Sequence, residues 1–355
     1  MSASRHASPN GGSVAPSETL ILGRGDVRQL LDMPACIDAV EQAFLQHARG
    51  ETIPPGILGA HARDGVFHVK TAGMQSATFD APAVFAAKVN ANFPDNPDRH
   101  GLPTIQGVIA LFNAHTGQLL ALFDSIEITS LRTAAATAVA AKHLAREEST
   151  LLTVCGCGEQ GRSQLRALAC VRPVSRVFAF DSVTARAVDF ATAMSNELGI
   201  EVSAVHELGD QTLASDIWVT CTPARRWILG RQHVAPGAFI AGVGADNHDK
   251  QEIEPELLAA SVVVADILDQ CATIGDLHHA FDRGLMRRED VRAELADVIA
   301  GRKPGRQTAD EIIVFDSTGT ALEDVAAATL VYERAVKSGM GIPVNLISSG
   351  ARPPN

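Results

Sequence analysis

Several features that mark whole classes of protein are missing from this chain of 355 residues. It has no apolar run of about 18 residues, the length that a membrane-spanning helix requires, so no membrane partner is expected. Lysine and arginine do not cluster, and the formal net charge is −11. A surface for nucleic acid or anionic lipid needs clustered positive charge, so the composition disfavours both and leaves small molecules as the expected partners.

Cysteine is also scarce, with six residues spread along the chain. Cys155 and Cys157 do not have the C-x-x-C spacing of a zinc site, and no second pair completes one, so no metal is expected. Most of the cysteines lie in apolar, strand-like segments, which favours reduced core thiols over a disulfide framework. A cytoplasmic location is the default expectation for such a chain.

The length and the 46% hydrophobic content predict two domains, each with its own core. Residues 1–18 are rich in Ser, Pro, Gly and Ala and contain no apolar segment. They are therefore expected to form a disordered tail and not a secretory signal.

The segment after this tail predicts a domain of mixed α and β structure. Apolar residues recur at helical spacing over residues 26–49, and Pro54-Pro55-Gly56 is expected to end this section. Short β-rich segments separated by Gly, Pro, Asn or Asp then predict a largely antiparallel sheet. These segments are residues 66–71, 84–90, 104–112 and 119–123.

The second half of the chain predicts alternating strands and helices. An alanine-rich helix over about residues 130–145 precedes the strand at Leu151, and further strands are expected around Val177, Val202, Ile217, Phe239 and Val262. A strand and turn at 312–319 precede a helix at 321–337 that is expected to pack on the first domain. The predicted fold class is α/β: a Rossmann-type domain at 131–317 and an α+β domain formed by 19–130 and 318–355.

A glycine-rich turn is the most specific motif in this second half. An apolar strand ends in Gly156, and Gly158 and Gly161 complete the G-x-G-x-x-G spacing before a helix whose N-terminus can bind a pyrophosphate. Asp181 closes the next strand about 20 residues on, where a carboxylate accepts hydrogen bonds from a ribose diol and repels a 2′-phosphate. This pattern predicts NAD in preference to NADP. The alternative is an ordinary glycine turn followed by an exposed aspartate.

Two cations lie in apolar or alanine-rich surroundings and are candidates for anion binding. Lys88 is flanked by apolar residues on a predicted strand, where a buried ammonium needs a partner. That partner is either the substrate or a structural carboxylate. Arg132 is expected near the N-terminus of the alanine-rich helix, where the helix dipole adds to its attraction for anions. The alternative for Arg132 is a place on the surface.

Further polar candidates follow or lie within predicted strands. Asp246 comes after the strand 239–243, at the carboxyl end where open α/β sheets bind ligands, and is either an acid/base group or a helix N-cap. Lys250 either pairs with Asp246 or contacts the cofactor. Lys70 and His68 share one face of a strand, so both line a site or both are exposed.

Six segments carry a resemblance to a known family: FAAKVNANFPDN, GLPTIQGVIAL, ITSLRTAAATAVAAKHLA, GCGEQG, VGADNHDKQEI and FDSTGTALEDVAAA. In this order and spacing they are similar to the ornithine cyclodeaminase/mu-crystallin family, over about residues 23–341. Its members include ornithine and lysine cyclodeaminases, archaeal-type alanine dehydrogenases and reductases of α-imino acids. All of them act at one Cα–N bond.

The resemblance implies roles for individual residues. Lys88 and Arg132 would bind and orient the substrate carboxylate, and Asp246 would exchange protons with the amino or imino nitrogen. Contacts to NAD(H) are implied for Thr104, Arg132, Thr133, Gly156, Gly158, Gln160, Asp181, Ser182, Thr220, Thr222, Val243, Gly244, Lys250 and Ser317. The family also implies a homodimer joined through the domain that does not bind the nucleotide.

Three activities are compatible with this resemblance. They are net oxidoreduction of a small α-amino or α-imino acid, redox-neutral cyclodeamination that releases ammonia and retains NAD, and non-catalytic ligand binding. The family's arginine after the proline near position 54 is replaced here by Pro55-Gly56-Ile57. His68 stands where ornithine cyclodeaminase has a glutamate for the distal amine, which favours net oxidoreduction. Lys70 is expected to replace the missing arginine as an anion partner.

Overall fold

A computed structural model describes residues 18–75 and 83–346. The predicted disordered tail therefore lies outside the described residues, apart from Glu18. The strands are β1 Thr19–Leu22, β2 Thr52–His61, β3 Val66–Met74, β4 Val84–Asn92, β5 Ile105–Asn113, β6 Leu119–Asp124, β7 Leu151–Cys155, β8 Arg176–Phe180, β9 Glu201–Val205, β10 Ile217–Thr220, β11 Arg225–Leu229, β12 Phe239–Gly242, β13 Gln251–Ile253, β14 Val262–Ala265, β15 Ala293–Glu294, β16 Ile313–Asp316 and β17 Ile342–Val344.

The α-helices are α1 Arg24–Leu30, α2 Met33–Ala48, α3 Asn96–His100, α4 Ser125–Leu144, α5 Glu159–Val171, α6 Thr184–Leu198, α7 Pro255–Ala259, α8 Leu268–Ile274, α9 Asp276–Asp282, α10 Leu295–Ile299 and α11 Ala321–Ser338. In the described ranges, no helix combines the length and the apolar character needed to cross a bilayer.

The first sheet has seven strands in the order β17-β1-β6-β5-β4-β3-β2. All neighbouring strands are antiparallel except β1 and β6, which confirms the predicted largely antiparallel sheet. Helix α11 packs on β3, β4 and β5 and on helices α2 and α4. The closing helix therefore returns to the first sheet, as the sequence predicts.

Two boundaries near the N-terminus differ from the prediction. Pro54-Pro55-Gly56 does not end a section but lies inside β2. This strand is at the edge of the sheet, where proline removes no ladder hydrogen bond, and its register shifts between Ile53 and Gly56. The helical segment 26–49 is divided into α1 and α2 because Asp32 caps α2 by accepting a hydrogen bond from the Ala35 amide at 2.9 Å.

The second sheet is parallel throughout, with the order β15-β14-β16-β12-β10-β7-β8-β9. The chain runs outward through β7, β8 and β9 and then returns to the other side of β7 with β10. The strand order reverses between β7 and β10, and such a switch point is where doubly wound sheets bind ligands. The predicted α/β fold with a Rossmann-type sheet is confirmed.

Helix α4 lies between the two sheets, against α2 and α11 on one side and α5 on the other. Its buried alanines allow this close packing. It begins at Ser125 and not at residue 130, because Asp124 caps it by accepting a hydrogen bond from the Ile126 amide at 3.0 Å. The proposed domain boundary at 130/131 therefore falls inside α4.

The six cysteines are free thiols. Cys155 lies in a strand, but Cys36, Cys170 and Cys271 lie in helices, and Cys170 is exposed. The expectation of mostly strand-borne cysteines is therefore wrong, although four of the six thiols are buried.

Candidate active site

The carboxyl ends of five neighbouring strands form one edge of the parallel sheet. The pairing register aligns Cys155 with Thr220, Thr220 with Gly242 and Gly242 with Asp316. The residues that follow these positions must therefore lie side by side along this edge. They include the predicted cofactor residues Gly156, Val243 and Ser317, and Asp181 follows β8 at the same edge.

Each of the three positions in the turn favours glycine for a different structural reason. Gly156 has a φ of +105°, which favours glycine. At Gly161, an added Cβ would lie 2.2 Å from the Gly156 carbonyl oxygen, so only glycine lets α5 approach the strand. At Gly158, an added Cβ would meet no atom within 4 Å and φ is −82°. The protein's own packing does not require glycine there, whereas a pyrophosphate approaching the N-terminus of α5 does.

Polar groups at this edge are available to a ligand. Gln160 Oε1, Thr220 Oγ1 and Ser317 Oγ are buried and have no hydrogen-bond partner among the described residues. Buried polar atoms without partners are costly, and a bound molecule with hydroxyl or amide groups would satisfy them. Together with the open face of Gly158, these atoms fit a dinucleotide.

Asp181 lies beside the glycine turn, as the motif predicts. One of its oxygens accepts a hydrogen bond from the Cys157 amide at 2.9 Å, and the other accepts one from the Val183 amide at 2.9 Å. These bonds fix the carboxylate at the end of β8, next to the exposed Ser182. An aspartate that is simply solvated would not be held in this way.

Several other predicted cofactor residues already use their polar groups within the protein. The Thr222 amide and hydroxyl both donate to Glu252 Oε1, at 2.5 and 2.6 Å, and the Gly244 amide donates to Glu252 Oε2 at 2.7 Å. The Thr133 hydroxyl donates to the Thr129 carbonyl at 2.7 Å. Without an exchange of these bonds, the hydroxyl groups of Thr222 and Thr133 can serve a nucleotide only as hydrogen-bond acceptors.

Lys88 and Arg132 meet at a single buried carboxylate on α11. Lys88 Nζ lies 2.9 and 2.7 Å from the two oxygens of Asp324, and Arg132 Nε donates to Asp324 Oδ1 at 2.9 Å. Arg132 Nη1 donates to Glu323 Oε2 at 2.6 Å. Lys88 is 3% and Arg132 is 4% exposed, so the surface alternative for Arg132 is wrong and the ion-pair alternative for Lys88 is realised. Arg132 also lies about two turns into α4, which excludes the predicted effect of a helix N-terminus.

Lys70 completes this group of buried charges. It lies directly opposite Lys88 in the register of β3 and β4, and its Nζ donates to the carbonyls of Thr318 and Gly319 at 3.0 and 2.7 Å. We call Lys70, Lys88, Arg132, Glu323 and Asp324 the cation cluster. With all groups ionised it holds three cations and two carboxylates, an excess of one positive charge.

The pKa values in the cation cluster follow from this crowding. Burial and the neighbouring Arg132 lower the pKa of Lys88 to about 7, against the attraction of Asp324. Burial and Arg132 also lower the pKa of Lys70. Burial would raise the pKa of Asp324, but Arg132 and Lys88 outweigh it and the pKa is lowered. Lys88 therefore titrates near neutral pH while Asp324 remains a carboxylate.

Asp246 lies across a cleft of about 1270 Å³ from strands β2 and β3. Half of its side chain, 51%, is exposed, and Lys250 Nζ donates to it at 2.7 Å. Partial desolvation at the wall of the cleft would raise the pKa of Asp246, but Lys250, Lys70 and His68 outweigh it and lower the pKa. The residues directly after Asp246 form a turn that leads into β13, and the next helix, α7, is capped by Glu254, so the N-cap alternative for Asp246 is wrong.

Some of the predicted site residues line this cleft, and others lie outside it. His68, Thr104, Asp246 and Lys250 line it, whereas the glycine turn and the buried cations do not. His68 lines the cleft and Lys70 is 8% exposed behind it, so the alternative in which both are exposed is wrong. Lys70 connects the two groups, because its ammonium interacts with Asp246 as well as with Arg132.

The acidic partners in this region, Glu323 and Asp324, were not predicted from the sequence. Glu323 closes a capping box, in which the Thr320 amide donates to its Oε1 at 3.1 Å while Oε2 binds Arg132. The T-x-x-E spacing at 320–323 is a helix-start signal that would have located this residue. Gly319 was missed too: its φ is +75°, and an added Cβ would lie 2.6 Å from Arg132 Nη1.

Comparisons with known proteins agree with this architecture. Residues 17–339 match the model of the ornithine cyclodeaminase/mu-crystallin family. Alanine dehydrogenase of Archaeoglobus fulgidus is 36% identical over 324 residues, which cover 91% of this chain and 97% of that protein.

Two solved structures are similar along nearly their whole length. An archaeal alanine dehydrogenase dimer with bound NAD has a TM-score of 0.88 and 35% identity, covering 93% of this chain and 100% of that one. The Δ1-pyrroline-2-carboxylate reductase of Thermococcus litoralis, in complex with NADH and L-proline, has a TM-score of 0.86 and 33% identity, covering 92% and 100%. The family match and these structural similarities agree with the fold, the glycine turn at 156–161 and the cleft. The chain belongs to the ornithine cyclodeaminase/mu-crystallin family.

Proposed function

We propose that the protein is an NAD-dependent oxidoreductase that acts at the Cα–N bond of a small α-amino or α-imino acid. The observation that carries the proposal is the cleft, in which an accessible carboxylate, Asp246, faces a strand backed by the positively charged cation cluster. A substrate with a nitrogen and a carboxylate on one carbon matches this pair of opposite charges. The alanine dehydrogenase and the pyrroline-2-carboxylate reductase to which the chain is similar are both named for such substrates.

The cofactor in this proposal is NAD, held at the carboxyl edge of the parallel sheet. The N-terminus of α5 and Gly158 would bind the pyrophosphate, and Asp181 would bind the adenosine ribose. When bound, NAD accepts or NADH donates the hydride at the substrate Cα. The open face of Gly158 and the unsatisfied atoms of Gln160, Thr220 and Ser317 support this position.

Asp246 would exchange the proton of the substrate nitrogen. Its lowered pKa keeps it a carboxylate near neutral pH, so it can accept a proton from the ammonium group of an amino acid. In the reductive direction, a water molecule held by the carboxylate would supply the proton to nitrogen. Lys250, at 2.7 Å, orients the carboxylate and fixes its charge in the absence of substrate.

The cation cluster would hold the substrate carboxylate through its excess positive charge. Lys88 and Arg132 are tied to Asp324, whereas the hydrogen bonds of Lys70 within the described ranges go to neutral carbonyl groups, and the carboxylates that attract its charge lie farther away. Lys70 is thus the cation that is best placed to meet an incoming carboxylate, in the role of the arginine missing after Pro54. Positioning the carbon and the nitrogen in this way supplies much of the rate in such reactions.

A homodimer through the first sheet is part of the proposal. Leu58, Val69, Val89 and Val108 form one continuous row across β2, β3, β4 and β5 on the face opposite Lys70 and Lys88. Leu58, Val89 and Val108 are exposed in the single chain. An apolar row of this length on an open sheet face favours association. The archaeal alanine dehydrogenase was solved as a dimer.

A substrate panel with two matched variants tests the activity. Purified protein is incubated with alanine, pyrroline- and piperideine-2-carboxylate, other α-imino acids and ornithine, while NADH absorbance and ammonia are followed. Net NADH change is expected, and Asp246→Asn should lower kcat by about 10²–10⁴-fold. Asp189→Asn makes the same change on the exposed face of α6 and should leave kcat unchanged. Ammonia without NADH change would mean cyclodeamination, and no turnover of any substrate would mean a binding protein.

Lys70→Met tests the carboxylate site separately. Losing a charged hydrogen bond to a bound carboxylate should raise KM by about 10–100-fold, the equivalent of about 1.5–3 kcal/mol. Binding of NADH alone, followed by its fluorescence, should be unaffected because Lys70 lies on the other sheet. Unchanged KM and kcat would contradict this role for Lys70.

A further inference from the structure

A group of histidines lies beside the cleft and takes no part in the proposed reaction. His248 is in the loop that carries Asp246 and Lys250, and His278 and Asp282 are on α9. One potential ligand atom from each of these three residues lies within 4.8 Å of the other two. His278 and Asp282 are four residues apart and therefore project from the same face of the helix.

The state of His278 distinguishes this group from an ordinary surface cluster. The residue is 2% exposed, and its Nδ1 lies 2.6 Å from the Gly275 carbonyl oxygen. A carbonyl only accepts, so Nδ1 carries the proton and Nε2 of the neutral ring carries a free lone pair. Nε2 is buried and has no hydrogen-bond partner among the described residues. A histidine held by a backbone carbonyl through one nitrogen, with the other nitrogen free, has the arrangement of a metal ligand.

The surroundings hold His278 in place. Its ring packs on that of His279, with the centroids 3.7 Å apart. The N-terminus of α9 is anchored because the Asp276 and Leu277 amides donate to the buried Asp316 at 3.2 and 2.9 Å. The rings of His248 and His278 have their centroids 4.7 Å apart. The ring of His248 therefore already lies against the ring of His278.

We propose that His248, His278 and Asp282 form a binding site for a divalent transition metal of the zinc class. Two imidazoles and one carboxylate, with a water molecule in the fourth position, are a ligand set that Zn²⁺ and Co²⁺ accept. Tetrahedral coordination places ligand atoms about 3.3 Å apart. The exposed side chains of His248 and Asp282 must therefore move by about an ångström towards the fixed His278, which rotation about their χ angles provides.

Binding would fasten the catalytic loop to α9. His279 on the same helix already contacts the Lys250 carbonyl through Nε2 at 2.9 Å, and a metal at His248 would add a second connection two residues after Asp246. An effect of the metal on turnover rests on the proposed function, but the existence of the site does not. The two are therefore tested by different measurements.

The experiment uses full-length protein without a polyhistidine tag, treated with chelator and titrated with Co²⁺ while the visible d–d absorption is recorded. One equivalent per chain is expected, with bands that Zn²⁺ abolishes by displacement. His248→Ala and Asp282→Asn alter exposed side chains and should each weaken binding by more than about tenfold, since even groups that only orient metal ligands are worth about 10–100-fold in affinity. His206→Ala removes an exposed histidine elsewhere and should change nothing.

Two results would overturn the proposal. One is the absence of d–d absorption in the presence of excess Co²⁺. The other is the same Co²⁺ affinity in the wild-type protein and in all three variants, which would indicate adventitious binding elsewhere. Neither result depends on whether the protein oxidises or reduces an amino acid.

Discussion

The molecule buries charge in two regions and stabilises it in two different ways. In the cation cluster, Lys88 and Arg132 are neutralised by carboxylates of α11, far away in the chain. The second region, which we call the carboxylate cluster, consists of Glu252, Asp266, Asp276 and Asp316 under the loops of the nucleotide edge. Its members bind backbone amides: Glu252 accepts from Gly244, Asp276 from Glu252, Asp316 from Leu277 and Asp266 from Gly319, all between 2.7 and 2.9 Å.

The difference explains what each region can do. Side-chain pairs leave the cation cluster with one more cation than carboxylates when Lys88 is protonated, that is, below about pH 7. Amide donors fix loop geometry but supply no full positive charge, so the buried carboxylates take up protons more readily. Burial and the charge of Asp276 raise the pKa of Glu252 to about 7, and burial raises the pKa of Asp276 to about 6. The cation cluster is held by side-chain ion pairs, whereas the carboxylate cluster holds loop backbone in place through amide hydrogen bonds.

The largest expected effect is the loss of the carboxylate that Lys88 and Arg132 share. Asp324→Asn should lower the free energy of unfolding by about 3–5 kcal/mol, because it leaves buried cations without their partner. Glu333→Gln removes one negative charge from an exposed position of the same helix and should change the value by less than about 0.5 kcal/mol. Urea unfolding at neutral pH measures both. If the two variants were equally stable, the ion pairs would not be what stabilises the cluster.

The two regions should also respond to pH with opposite signs. Glu252 has its pKa raised from 4.5 to about 7, so its contribution to stability is present below pH 4.5 and is lost as the pH rises through 7. Lys88 has its pKa lowered from 10.5 to about 7, so its contribution is present above pH 10.5 and is lost as the pH falls through 7. Each of these two contributions changes the free energy of unfolding by on the order of a few kcal/mol across its pH window.

Difference curves isolate these two contributions from the other groups that titrate. The unfolding free energy of the wild-type protein minus that of Glu252→Gln should fall between pH 4.5 and 7. The unfolding free energy of the wild-type protein minus that of Lys88→Met should rise between pH 7 and 10.5. Unfolding in urea at a series of pH values measures both. Curves with the same slope in both windows would contradict the distinction between the clusters.

The local part of this architecture was predictable, and the long-range part was not. The glycine spacing at 156–161 and the alternation of strands and helices are short-range patterns, and they located the turn at the carboxyl edge of the parallel sheet. Lys88 and Asp324 are 236 residues apart, so no local pattern connects them. The sequence showed only that a buried Lys88 needs a partner. The start of α4 was misplaced because the cap at Asp124 precedes the alanine-rich run that marked the helix.

A small change in stability is expected at the glycine turn 156–161, which the carboxylate cluster does not contact among the described residues. Gly158→Ala adds a methyl group where nothing lies within 4 Å, at a φ that alanine adopts, so the free energy of unfolding should change by less than about 1 kcal/mol. The affinity for NADH should nevertheless fall by tenfold or more, because the methyl group occupies the path of the pyrophosphate. Gly161→Ala is the contrasting variant, since its Cβ would collide with the Gly156 carbonyl and destabilise the fold itself. NADH fluorescence titration together with urea unfolding separates the two effects, and unchanged NADH affinity in a stable Gly158→Ala protein would mean that the dinucleotide does not pass over this turn.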